Sequence, residues 1–160
     1  MNGPEMERLR SGDLGVKTVT VSTRYPASAG PEGLKAAVEA LNLKVAMAVN
    51  DGATVVILSD MVPQGDEGSP QGISEDEAYM PPLMAVGAAH HYLIGLGDRM
   101  LASLVVETGQ GWSTHHMACL VGYGASAVHP YLALDAVRSW YNMPKTQMAI
   151  QQGKLPSNLT

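Results

Sequence analysis

The sequence predicts an α/β domain of repeated βα units with parallel strands, resembling half of a degenerate (β/α) barrel or an open sheet. Three observations carry this. Short β-branched runs alternate with longer stretches of helical periodicity. The run A-T-V-V-I-L-S-D at residues 53–60 is almost continuously apolar, as expected for a parallel strand covered on both faces. Finally, D-G-A-T-V-V at residues 51–56 is echoed by Y-G-A-S-A-V at residues 123–128. The same helix end, tight Gly-Ala turn and entering strand therefore occur twice. Four strands cannot close an eight-stranded barrel, so the sheet keeps edges that need covering.

The elements follow in order. Residues 1–15 read as a short helical or irregular lead-in. From residue 16 the run V-K-T-V-T-V-S-T places an apolar side chain at every second position, a strand pattern. Pro26 and Pro31 bracket a break. Residues 32–50 then space Leu34, Val38, Leu41, Val45 and Val49 by three and four, an amphipathic helix that Asp51-Gly52 closes. After the strand at 53–60 comes a polar loop over 61–79. It is rich in Pro, Gly, Asp and Glu, and too long for a minimal connection. Such a loop is mobile or completed from outside the chain, and no role is assigned to it. Pro81-Pro82 suits a helix start, and residues 83–97 continue the pattern. A third strand over 101–108 leads through G-Q-G-W-S-T to a helix over 115–122. A fourth strand over 127–129 stops at Pro130-Tyr131. Helices follow over 132–141 and, for a turn or two, 145–152, and the tail 155–160 is polar.

Composition narrows the function classes. Apolar residues make up 46% of the 160, a globular share, although there is no Phe, so Leu, Val, Ala and ten Met must fill the core. The formal net charge is -5 and the ten Lys and Arg are scattered, which argues against nucleic acid as a partner. No apolar run approaches the roughly 20 residues that span a bilayer, and the amino terminus has no signal-peptide core. The single Cys119 excludes an internal disulfide framework and a cysteine-only metal or iron–sulfur site within the chain.

In folds of this class the carboxyl ends of the strands form the functional rim. Here they carry Ser22-Thr23, Ser59-Asp60, Glu107-Thr108 and His129. Asp60 and Glu107 are candidates for a carboxylate pair in general acid–base work. Acidic residues at strand ends also routinely accept hydrogen bonds from loop N–H groups, and that structural role is the expectation. His90-His91 and His115-His116 are adjacent pairs, whose side chains diverge by about 100° on a helix and cannot chelate one metal. One histidine of each pair could still meet His129 or Glu107 in space. Satisfied histidines at helix starts or between layers are the expectation. Cys119, in the apolar stretch M-A-C-L-V, reads as a buried core thiol with no base beside it. Trp112 sits in a glycine-flanked turn, as an internal lid or an interdomain contact, with Ser113 or Thr114 capping the next helix. Neither a dinucleotide fingerprint nor a phosphate-binding P-loop is present. No catalytic, cofactor-binding or metal-ligating residue is therefore assigned.

The strings themselves are specific. Y-M-P-P-L-M-A-V-G-A-A-H-H-Y-L-I at 79–94 resembles the central domain of the glutamate synthase large subunit. So do I-L-S-D at 57–60, S-L-V-V-E-T at 103–108 and W-S-T-H-H-M-A-C-L-V-G-Y-G-A-S-A-V-H-P-Y-L-A at 112–133. The W-S-T-H-H and G-Y-G-A-S-A-V forms are nearer the ferredoxin-dependent enzymes than the pyridine-nucleotide ones, and the likeness covers nearly all of residues 14–150. It implies a parent that makes two L-glutamates from L-glutamine and 2-oxoglutarate, with reduced ferredoxin or NAD(P)H as electron source. An amidotransferase domain would release ammonia, and an FMN domain fed by a [3Fe-4S] cluster would reduce the 2-iminoglutarate formed from it.

This chain has no amino-terminal Cys and no three-cysteine motif, so FMN and the cluster are expected outside it. The implied organisation is a lead-in over 1–15, a partial central domain over 16–152 and a cut tail over 153–160. Its partners would be the amidotransferase and FMN-binding domains of the same enzyme, with ferredoxin a partner of the parent. Its expected place is the cytoplasm, or the plastid stroma in a photosynthetic eukaryote. The segment would couple the two active regions and be inactive alone. Two other readings compete: a stand-alone binding or assembly module, and a small enzyme using Asp60, Glu107 and His129.

Overall fold

The computed structural model describes residues 1–61 and 76–156. Most of the polar loop and the last residues of the tail lie outside these. Helix α1 (Gly3–Ser11) is a properly bounded helix rather than an irregular lead-in. Asn2 and Glu5 form a reciprocal capping box at its start, and Arg8 and Arg10 lie in its last turn, where the helix dipole favours cations. Strands β1 (Thr18–Ser22) and β2 (Arg24–Pro26) follow, then a 3-10 turn over Ala27–Ala29 and helix α2 (Gly30–Asn50). Gly52, at φ 86°, turns the chain out of α2 as its sequence position requires. Next come β3 (Val55–Ser59), β4 (Glu77–Tyr79), α3 (Pro82–Leu96) and a 3-10 turn over Arg99–Leu101. The chain continues through β5 (Ser103–Glu107), α4 (Thr114–Gly122), β6 (Ala127–His129), α5 (Tyr131–Tyr141) and α6 (Pro144–Gln151).

Four strands form one parallel sheet in the order β1-β3-β5-β6, which is the order of the sequence. The helices that join sequential neighbours, α2, α3 and α4, share one core on one side of the sheet, the arrangement of a barrel segment. The core agrees. Val21, Val56, Leu58, Leu104 and Val106 of the strands pack with Leu41, Val45 and Val49 of α2, Val86 and Leu93 of α3, and Leu120 of α4. The opposite face is narrower. There Met6 and Leu9 of α1 close over Val55, Ile57 and Val105, each buried side chain worth about 1.5–3 kcal/mol.

Two corrections concern β2 and β4. These pair antiparallel as a separate two-stranded ribbon, with Arg24 opposite Tyr79 and Pro26 opposite Glu77. Residues 77–79, expected as loop, are therefore strand, anchored by an Arg24–Glu77 ion pair and by the Met80 N–H donating to Thr23 O at 2.9 Å. A three-residue strand has no periodicity to read, and its partner lies about fifty residues away.

Candidate site at the strand ends

Asp60 follows β3 and is 3% exposed. Its carboxylate accepts from Thr108 Oγ1 at 2.6 Å, from the Gly109 N–H at 3.0 Å, from Gln110 Nε2 at 3.3 Å and from Tyr131 Oη at 2.9 Å. One side chain thus ties the β5–α4 loop and the start of α5 to the end of β3. Burial first, then the neighbouring Asp60 charge, raises the Tyr131 phenol well above its ordinary range, so it stays a donor. Sequence reasoning used Tyr131 only as a strand terminator. A hydroxyl next to a proline at a strand end is the signal that could have marked it.

Glu107 belongs to the other side of the sheet. It is in register with Ser59 and His129, and successive strand residues point to opposite faces, so Glu107 and Asp60 diverge. They are not a carboxylate pair. Glu107 is 1% exposed, and its Oε2 takes hydrogen bonds from Ser59 Oγ and from Arg10, which α1 swings over the sheet. Its Oε1 is buried without a hydrogen-bond partner. His129 shares this side, with Nδ1 3.0 Å from the Met1 carbonyl. Glu107, His129, Ser22, Ser59, Arg10 and Arg24 line one cleft of about 710 Å³ between α1, the sheet and α5. The strand ends thus bring Glu107 and His129 to a common cleft, while Asp60 is not among its lining residues and reaches it only through Tyr131, which lines the cleft and donates to the Asp60 carboxylate.

The histidine pairs are placed separately. Arg99 Nε donates to His90 Nδ1 at 2.8 Å, while its Nη1 and Nη2 donate to Ala102 O at 2.8 Å and Gly124 O at 2.7 Å. Burial, then Arg99 and His91, lowers the His90 pKa, which leaves a neutral imidazole able to accept. Gly124 has φ 114°, and a Cβ there would stand 2.4 Å from His90 Nδ1. The H-H and G-Y-G-A strings therefore meet in one interlock joining α3, the turn before β5 and the turn before β6. His116 Nδ1 accepts from the Trp112 N–H at 3.2 Å, and the Ser113 side chain caps α4 by accepting from the His116 N–H. Among the described residues no group of three or more His, Cys, Asp or Glu is placed to hold a metal ion.

Cys119 is corrected on two counts. It is only partly buried, and His115 Nε2 lies 3.5 Å from its sulfur, one helical turn away. The apolar neighbours suggested burial, but α4 buries only Leu120 and leaves the Cys119 face near the surface. Trp112 is 57% exposed, so it is not a lid packed on this rim.

Comparison with known proteins follows the same strings. The model of the glutamate synthase central domain matches residues 1–159. A ferredoxin-dependent glutamate synthase 2 from Synechocystis sp. is 43% identical over 157 residues, covering 97% of this chain and 9% of that protein. The ferredoxin-dependent glutamate synthase of Pyropia yezoensis is 41% identical over 139 residues, covering 87% of this chain and 8% of its own length. That of Cyanidium caldarium reaches 52% over 112 residues, covering 70% of this chain and 7% of its own. The chain thus spans less than a tenth of the relatives it matches. From the glycine-dependent interlock to the strand-end strings, the chain belongs to the glutamate synthase central-domain family.

Proposed function

We propose that this chain is the linking domain of a ferredoxin-dependent glutamate synthase, holding the amidotransferase and FMN-binding regions in register without catalysis of its own. The observation that carries the reading is the family match over residues 1–159 on a rim whose Asp60 carboxylate is wholly engaged within the domain. The parent reaction would form two L-glutamates from L-glutamine and 2-oxoglutarate, with reduced ferredoxin, or NAD(P)H, supplying electrons. Residues 16–152 would be the partial central domain, with 1–15 a lead-in that folds over the sheet as α1 and 153–160 a tail.

Neither FMN nor a [3Fe-4S] cluster fits the residues present. One cysteine cannot supply a cluster's thiolates, and the sequence carries neither a G-x-G-x-x-G fingerprint nor a P-loop to cradle a phosphate. Both groups belong to other regions of the parent. The contribution of this domain is geometric: a rigid link keeps two active regions aligned, and small misplacements far from chemistry lower rates steeply. A cytoplasmic or plastid-stromal place fits relatives named as chloroplastic in rice and Arabidopsis thaliana. Among the described residues no helix is long and apolar enough to cross a membrane.

The intact mass of the native polypeptide carrying residues 112–133 tests this reading. A mass many times 16.9 kDa, with no flavin retained by the 160-residue chain alone, is expected. A native mass near 16.9 kDa, or stoichiometric yellow flavin on the isolated chain, overturns it.

A further inference from the structure

Helix α4 places His115 and Cys119 one turn apart, with His115 Nε2 3.5 Å from Cys119 Sγ. His115 is exposed and Cys119 partly so, and an ion in solvent reaches both. The i, i+4 spacing puts the two side chains on one face of the helix, the arrangement by which a helix chelates a metal with two of its own residues. The adjacent pairs His90-His91 and His115-His116 lack that spacing. His116 is also engaged elsewhere, since its Nδ1 accepts from the Trp112 N–H.

The separation of the two ligating atoms is the informative quantity. Zinc bonds a thiolate at about 2.3 Å and an imidazole nitrogen at about 2.05 Å, and at a tetrahedral centre those bonds hold sulfur and nitrogen about 3.5 Å apart. The two side chains already stand at that bite, so an ion seats between them with little rearrangement of either. Thiolate together with imidazole favours a borderline-soft ion over Mg²⁺ or Ca²⁺.

We propose that His115 and Cys119 form a two-residue chelate for Zn²⁺, or a divalent cation of like size and softness, on the surface of α4. On binding, the thiol gives its proton to solvent, the neutral imidazole donates its Nε2 lone pair, and two waters leave the ion. Among the described residues no third His, Cys, Asp or Glu completes the set. The other two positions keep water, which makes this an open chelate and not a closed structural site. The inference does not depend on the linking role.

The test is alkylation of Cys119 by iodoacetamide in the native polypeptide that carries this chain, timed by mass spectrometry of a peptide containing Cys119. Zn²⁺ is the probe, Mg²⁺ its hard counterpart and EDTA the reversal. Zn²⁺ should slow alkylation saturably and at least about tenfold, with half-protection at or below about 100 µM. EDTA should restore the rate, and Mg²⁺ at the same concentration should leave it unchanged. His115→Gln should raise the half-protection concentration of Zn²⁺ at least about tenfold, because a thiolate alone has no chelate partner. His115→Ala carries the same test if the His115→Gln chain does not fold. His91→Gln, on α3, should change nothing. Undiminished protection in a folded chain without His115, which would mean a thiolate acting alone, overturns the proposal. So does half-protection above about 100 µM, equal protection by Mg²⁺, or a Cys119 that resists alkylation before any metal is added.

Discussion

On the side of the sheet covered by α2, α3 and α4, the strands present Val21, Val56, Leu58, Leu104 and Val106. On the side covered by α1 they present Val55, Ile57 and Val105 low in the sheet, and Ser22, Ser59, Glu107 and His129 at the strand ends. One face is a closed apolar layer joined to three helices. The other is half core and half polar cleft, covered by a single nine-residue helix. The difference teaches where this domain stores its stability and where it keeps groups available. Apolar burial is non-directional and tolerant, whereas a buried charge must have its partners, so the polar half is the more constrained by chemistry although it carries less of the core.

Truncation on the helix-covered face should have the largest effect. Leu93→Ala removes a fully buried side chain of α3 and should cost about 3–5 kcal/mol, seen as a fall in the thermal midpoint. Met6→Ala, on the α1 side, should cost about 2 kcal/mol, because a short helix at the edge of a cleft can collapse onto the space. Equal losses would break the comparison, since α1 would then be as integral as α3.

Gly124→Ala should rank close to Leu93→Ala, at roughly 3 kcal/mol, from a strained backbone and a clash with His90. Arg99→Ala together with Gly124→Ala should lose less than the sum of the two, because both act on one interlock. Additive losses would show that the histidine contact is incidental.

Ser113→Ala should cost about 1 kcal/mol through loss of the α4 cap, with no effect on the cleft. The smallest effect concerns pH. His90 has a lowered pKa in the fold, so the unfolded chain binds the proton more readily. Its contribution is present above the ordinary histidine pKa near 6.5 and is lost as pH falls through the lower folded value. His90→Asn should flatten the acid limb of the stability profile measured by urea unfolding. An unchanged limb would place the acid sensitivity elsewhere.

Much of this was legible in the sequence, and the rest was hidden for identifiable reasons. The parallel strands and their helices announced themselves through apolar continuity at 53–60 and three–four spacing at 32–50, because each is set by local burial. The β2–β4 ribbon was not, since two three-residue strands pair only through tertiary proximity. Asp60 was expected to bind loop N–H groups, and Gly109 N–H is among its donors. That Asp60 and Glu107, one residue out of step, leave the strand ends in different directions follows from strand alternation once the register is known, but register is not written in either residue. Arg10 and Arg24 were invisible as cleft residues, because exposed-looking arginines acquire a site only when α1 and β2 are placed. Cys119 misled because an apolar neighbourhood in sequence does not fix which side of a nine-residue helix is covered.

The central claim is that this domain links active regions rather than reacting. It is tested most directly in the parent enzyme with the Arg99→Ala substitution, by comparing glutamine-dependent with ammonium-dependent glutamate formation. The account predicts that the ammonium-dependent reaction and glutamine hydrolysis persist, while glutamate formed per glutamine hydrolysed falls. Loss of the ammonium-dependent reaction in a folded, flavin-loaded variant would contradict it, and so would full coupling in a variant whose domain is measurably loosened.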